Sequence, residues 1–240
     1  MGGERLVELI RGVCIFALYI FPMAGTALLL RRYTRLPDEV FRKLLHFVMV
    51  GAYSIFLFAF RTWWLAAVFV ALLAAAFFAV FSLAGLLPGF SEFINERKSG
   101  ELRVSMALAL AMVVLSIIIC WGWLDDRLLA LASLYAWGVG DGSAALVGKA
   151  FGKHKIRWKL SDGKKSWEGS IAMLLTAALT VFIILSVRGG LPVWACGLIA
   201  LTAGTAAAFV ELCSHGGIDT VTCPLTAMVL IVPLVKLLEK

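Results

Sequence analysis

The chain has 240 residues, 62% of them hydrophobic and only 15% charged, and its mean hydropathy is +0.95. Soluble domains carry roughly 25% charged residues, so a soluble globular enzyme is excluded. The excess of 22 Lys and Arg over 15 Asp and Glu, a net charge of +7, points in so apolar a chain to phosphate groups, anionic lipid or membrane topology, and not to nucleic acid as a partner.

Runs of roughly twenty apolar residues suit helices crossing a hydrocarbon core about 30 Å thick, whereas barrel strands would alternate every second residue. In chain order the predicted spans are Gly12–Leu30, Leu44–Phe60, Thr62–Leu87, Val104–Leu124, Leu128–Gly148, Ser170–Val187, Leu191–Val210 and Val221–Val235. The first exceeds the length of a signal-peptide core and follows Glu4, Arg5, Glu8 and Arg11, so it is read as a retained span. The last, at fifteen residues, is marginal for a full crossing. The tight connections at Arg61 and at Asp125, Asp126 and Arg127 predict antiparallel neighbours. Together these features predict an all-α fold, a polytopic transmembrane helical bundle of seven or eight spans, forming one integral membrane domain over residues 1–240. Five cysteines without a C-x-x-C pair read as small core residues. No feature of the sequence sets an oligomeric state.

The loops after the first, third, fifth and seventh spans carry 5, 3, 7 and 0 Lys or Arg, 15 of the 22. Cytoplasmic loops collect positive charge, so these loops are expected in the cytosol and both termini on the opposite side. The longer polar segments, Arg31–Lys43, Pro88–Arg103, Lys149–Gly169 and Glu211–Thr220, all belong to that face, where cytosolic nucleotides are available. The absence of an internal repeat argues against a transporter built from inverted halves.

Five stretches on this face carry candidate chemistry. Arg42, Lys43 and His46 open the second span at helical spacing, and a cationic cluster at a helix start can hold phosphate. Glu96 to Glu101, in ERKSGE, supplies acids and bases before the fourth span. Asp141 lies inside an apolar span, about two turns from the charged loop, and a carboxylate at that depth is costly enough to mark a site. Gly138, Gly140 and Gly142 flank it with little bulk, which would admit a phosphate or metal or unwind the helix; the alternative is a helix-packing cluster with Asp141 paired to an internal base. Magnesium suits Asp141, because Mg²⁺ prefers a carboxylate plus substrate phosphates to a complete protein cage. From Gly148 through Lys149 to Ile156, and again from Gly163 through Lys164, Lys165 and Glu168 to Ser170, glycines alternate with lysines in a pattern that can converge on phosphate oxygens. The spacing is not that of a Walker A loop. Glu211 and Asp219 supply further acids at the same interfacial depth.

The order of these segments resembles the CTP-dependent lipid kinases, the family that includes dolichol kinase, phytol kinase and the CTP-using diacylglycerol kinase. The likeness covers roughly Arg42 to Pro224 and is most specific in GDGSAALVGKAFGKHKI (Gly140–Ile156) and KSWEGS (Lys165–Ser170). RKLLH (Arg42–His46), ERKSGE and GGIDTVTCP (Gly216–Pro224) support it. The resemblance implies an all-helical membrane fold, CTP as phosphoryl donor, a divalent metal and a lipid alcohol as acceptor. By position it implies roles for Arg42, Lys43, Asp141, Gly148, Lys165, Glu168, Glu211 and Asp219. Thr220 stands where family members usually have Asn, which weakens the case for Asp219 as a direct ligand.

The alternative is a phosphatidate cytidylyltransferase, which shares the glycine-rich loop and the Lys-Ser-x-Glu-Gly step. Those enzymes also carry a basic segment before His-Gly-Gly and a second Asp after it. Here Gly197–Ser214 contains no Lys or Arg, and Asp219 to Thr222 lacks the second Asp, which favours the kinase. In the expected reaction CTP lies on the cytosolic face, its phosphates held by Lys165, Arg42, Lys43 and amides near Gly148, with His46, Lys149 and Lys164 adding to the nucleotide site. Asp141 is the first metal ligand, with Glu211 and Asp219 as further candidates. Asp141, Lys165, Glu168 and Glu211 form the catalytic set, Glu211 or Glu168 orienting the lipid hydroxyl.

Overall fold

The computed structural model describes residues 2–85, 101–157, 163 and 165–239. Among these residues there are eight helices and no strand. They are α1 (Gly2–Tyr33), α2 (Asp38–Phe58), α3 (Trp63–Ala84), α4 (Glu101–Ser116, continued by π-helical turns at Ile117–Trp123), α5 (Arg127–Phe151), α6 (Trp167–Arg188), α7 (Val193–Cys213) and α8 (Asp219–Leu238). The all-α expectation holds. Seven helices, all but α5, are long and apolar enough to cross a membrane, and the chain is an integral membrane protein.

The weak span is therefore not the one expected. The marginal last segment becomes the 20-residue α8, because Asp219 and Thr220 form its first turn and it runs on past Val235 to Leu238. It is α5, interrupted by Asp141 and three glycines, that falls short in apolar character. It packs along α6, α2 and α8, and its residues from Leu129 to Gly142 are largely buried. A helix enclosed by other helices needs no apolar surface for lipid.

Small residues let the helices close on one another. A Cβ at Gly204 of α7 would stand 2.8 Å from the Leu174 carbonyl oxygen of α6, too close for any other residue, so the two backbones nearly touch.

One end of the bundle is tied by charge. Asp126 caps α5 by accepting from the Leu128 and Leu129 amides at 3.0 and 3.1 Å. Its other oxygen accepts from Arg188 Nε at 2.5 Å, and Arg188 also pairs with Glu239. The start of α5 and the ends of α6 and α8 are thereby joined. At this same end Glu8 of α1 accepts from the amides of Arg61 and Thr62 at 2.8 and 2.9 Å, and Arg11 donates to the Ala59 carbonyl at 2.8 Å. Further along α1, Tyr19 donates to the Val48 carbonyl at 2.9 Å. Arg127 donates to the Arg61 carbonyl, so the α1 start and the α8 end share one end of the bundle.

Candidate functional site

The other end gathers the candidate residues. Arg42 and Lys43 lie on α2, as their helical spacing predicts, where side chains three and four apart share a face. Lys43 is only 8% exposed, and a buried ammonium needs a partner. Its Nζ donates to Asp141 Oδ2 on α5 at 2.7 Å. His46, one turn on, places Nε2 at 2.8 Å from the Gly138 carbonyl and 3.6 Å from the same Asp141 oxygen. A carbonyl can only accept, so Nε2 carries a proton. Arg42 diverges from this pair and turns to Glu39 at 2.6 Å.

The glycines beside Asp141 face protein. Cβ atoms at Gly138 and Gly142 would stand 2.5 Å from Val50 and 2.4 Å from Phe47, both on α2, and one at Gly140 would meet Met173 of α6 at 3.1 Å. Of the arrangements the glycines would allow, unwinding is not the one found: α5 runs unbroken through all three. Their function is close packing, and its consequence is that α2 comes near enough for Lys43 to reach Asp141. The helix-packing alternative with an internally paired Asp141 is the arrangement observed.

The second half of the site comes from the connection between α5 and α6, which folds back on itself. The Ile156 amide donates to the Lys165 carbonyl at 3.0 Å and the Trp167 amide to the His154 carbonyl at 3.1 Å, around an antiparallel bridge between Lys155 and Ser166. Ser166 Oγ caps α6 by accepting from the Gly169 amide at 3.3 Å. This geometry presents Lys165 to the C-terminal end of α7. Its Nζ lies 3.0 Å from Glu211 Oε1 and donates to the carbonyls of Glu211 and Ser214, a helix end whose dipole favours a cation. Gly216 and Gly217, with φ of 65° and 86°, turn the chain so that α8 begins beside α7 with Asp219 in its first turn. Asp141, Glu211 and Asp219 lie within electrostatic range of one another. Asp219 has no ion pair among the described residues.

Other expected residues stand elsewhere. Gly148 lies inside α5 against Ser166 and Gly169, so its amide belongs to the helical ladder and forms no open phosphate cradle. Lys149 is exposed on the last turn of α5. Glu168 holds the folded connection, accepting from the Lys153 and His154 amides at 3.2 Å each and lying 2.7 Å from His154 Nδ1. Lys164 and residues 96–100 of the ERKSGE segment lie outside the described residues. Sequence reading missed His154 as the partner of Glu168 and the Ser214 carbonyl as an acceptor for Lys165. A His near a Glu in one loop is a usable signal, whereas a backbone carbonyl has none.

Among the described residues no three His, Cys, Asp or Glu side chains are grouped to hold a metal by themselves. The hard oxygen donors of Asp141, Glu211 and Asp219 still fit Mg²⁺, which takes few protein carboxylates and completes its shell with water and substrate phosphates.

Residues 6–218 match the model of the Cytidylyltransferase family. The chain belongs to this family. A phytol kinase from Synechocystis is 31% identical over 204 residues, which span 81% of this chain and 78% of that protein. A probable chloroplastic phytol kinase from Triticum aestivum is 37% identical over 75 residues, 31% of this chain and 24% of that one. No solved structure matches the chain. The stretch matching the Cytidylyltransferase family contains Lys43, His46, Asp141, Lys165 and Glu211, and ends one residue before Asp219.

Proposed function

We propose that the protein is a membrane lipid kinase that transfers the γ-phosphoryl group of CTP to the hydroxyl of a lipid alcohol. The observation that carries this reading is the convergence of two sequestered lysine–carboxylate pairs, Lys43 with Asp141 and Lys165 with Glu211, at one end of a membrane bundle. Likeness to a phytol kinase over 81% of the chain supports phosphoryl over nucleotidyl transfer, as does the missing basic segment before His215. An isoprenoid alcohol such as phytol is the first acceptor to test, with polyprenol and diacylglycerol beside it. The charge distribution supports placing this end in the cytosol.

In this reading Lys43 and Lys165 receive the nucleotide phosphates, with Arg42 at the rim. Asp141 would hold Mg²⁺, which would supply further neutralisation of phosphate charge. Phosphoryl transfer depends mainly on positioning and on such neutralisation, which two lysines held at one end of the bundle provide. The lipid hydroxyl oxygen attacks the γ-phosphorus, the bond to the β–γ bridging oxygen breaks, and CDP leaves. The hydroxyl proton passes to water, and Glu211, once Lys165 has turned to phosphate, is free for the divalent cation.

The test is incubation of the purified protein with γ-labelled CTP and a panel of lipid alcohols. Labelled phospholipid and CDP are expected. Pyrophosphate release, with a CDP-linked lipid formed when a lipid phosphate such as phosphatidate is offered in place of the alcohols, would instead establish nucleotidyl transfer, the reaction in the family's name.

A further inference from the structure

Each of two buried carboxylates holds a lysine where a divalent cation would bind. Lys43 Nζ is 2.7 Å from Asp141 Oδ2 and Lys165 Nζ 3.0 Å from Glu211 Oε1, and all four side chains are between 11% and 17% exposed. An ammonium and a metal ion compete for the same oxygen lone pairs and repel each other. An ammonium that already bonds a carboxylate, in turn, has its charge neutralised before any phosphate arrives.

A cation arriving alone would push Lys43 away from Asp141 with no anion to receive it, beside His46. A nucleotide arriving alone would draw Lys43 off and leave Asp141 bare against like-charged phosphates. In a low-dielectric setting either outcome strands a charge, and stranding one member of a buried pair is far costlier than exchanging partners. With both ligands present, each lysine finds a phosphate and each carboxylate a cation, so no charge is left over. The two pairs are not equally held. Lys165 is also bonded to the carbonyls of Glu211 and Ser214, whereas among the described residues the Lys43 ammonium bonds Asp141 alone. Lys43 is the first to let go.

We infer that Lys43 and Lys165 are coupling residues: each neutralises its carboxylate in the empty enzyme and releases it only to a phosphate, so that nucleotide and divalent cation bind together and neither binds well alone. This rests on reading the site as one for a nucleotide and a divalent cation, and adds an account of why the lysines face carboxylates before either is present.

The experiment measures Mn²⁺ binding by electron paramagnetic resonance, without nucleotide, on the full-length protein in detergent. Wild type is compared with Lys43→Met and with Lys43→Met/Asp141→Asn. Lys43→Met bares Asp141, so it is expected to bind Mn²⁺ more tightly than wild type by roughly 5- to 150-fold, the usual span of a coupling between ligands. The double variant, without the bared carboxylate, is expected to return to the wild-type value. Equal Mn²⁺ affinity in wild type and Lys43→Met overturns the inference, as does a gain that persists in the double variant. Lys165→Met against Lys165→Met/Glu211→Gln makes the same comparison at the second pair, so misfolding of one variant does not remove the test. Phosphorylated-lipid formation from CTP is followed in wild type alongside. Lipid phosphorylation with tight Mn²⁺ binding to unaltered protein sinks the coupling and keeps the kinase reading, whereas the expected Mn²⁺ pattern without phosphorylated lipid does the reverse.

Discussion

Lys43 and Asp141 are 98 residues apart in the chain and 2.7 Å apart in the fold. The contact crosses from α2 to α5 and places both charges in the bundle interior, where neither is tolerable alone. On the proposed reading Asp141 is structural and functional at once, and the two parts are separable. Asp141→Asn strands Lys43 and is expected to cost roughly 3–5 kcal/mol, as breaking one side of a buried pair does. Adding Lys43→Met is expected to recover most of that loss while turnover stays abolished. Thermal unfolding in detergent and phosphorylated-lipid formation, measured on both variants, check this. An active Asp141→Asn protein would remove the residue from the chemistry.

The glycines give a second expectation. Gly138→Ala drives a methyl group into Val50, 2.5 Å from the position it would take, and overpacking of this kind costs roughly 1–3 kcal/mol. It also pushes α2 away from Asp141, and a shift near 1 Å in a reacting group lowers rate by about 10²-fold. Gly138→Ala/Val50→Ala opens the space again and is expected to restore both stability and turnover. A Gly138→Ala protein with unchanged kinetics would show that this contact does not set the site.

Arg188 offers a control at the far end. Arg188→Leu leaves Asp126 and Glu239 facing each other without their shared partner, and a loss of roughly 3–5 kcal/mol is expected. The specific activity of the molecules that remain folded should not change, because the network lies across the bundle from Lys43. A lower activity per folded molecule would couple the two ends.

For Glu168 the expectation is a split between kinetic constants. Glu168→Ala releases Lys153 and His154 and loosens the connection that presents Lys165, so KM for the nucleotide should rise while kcat changes less. A fall in kcat at constant KM would place Glu168 in the chemical step instead.

Sidedness is checked by cysteine labelling in a background without the five native cysteines. A cysteine at Lys155 is expected to react only from the cytosol and one at Arg127 only from the opposite side. Lys98 and Lys240, outside the described residues, should follow Lys155 and Arg127 respectively. Labelling of position 127 from the cytosol would invert the layout.

Hydropathy made the spans legible because lipid demands apolar surface, and it left Lys149 and Glu168 outside them because a helix continues past the hydrocarbon with charged residues that are good helix formers. Asp141 was legible as unusual, since a carboxylate in an apolar run is costly wherever it points. Its partner was one of several nearby bases, and nothing local to Lys43 says that it crosses to α5. Gly138, Gly140 and Gly142 were misassigned for a related reason: a missing side chain looks the same whether the space admits a ligand or Val50, Met173 and Phe47. Glu168 showed its charge but not its task, because the groups it holds are largely backbone amides.

α1 is only 6% buried in its most apolar stretch, and among its anchors are the polar contacts of Glu8, Arg11 and Tyr19. Since lipid tails are as apolar as the helix, apolar burial gives little drive to dock it, and such polar contacts weigh more. Glu8 grips the amides of Arg61 and Thr62, which do not exist until the turn after α2 has been synthesised. α1 therefore has to wait, unattached by this grip, until the whole of α2 has been made, and the order of assembly is written into the position of one glutamate.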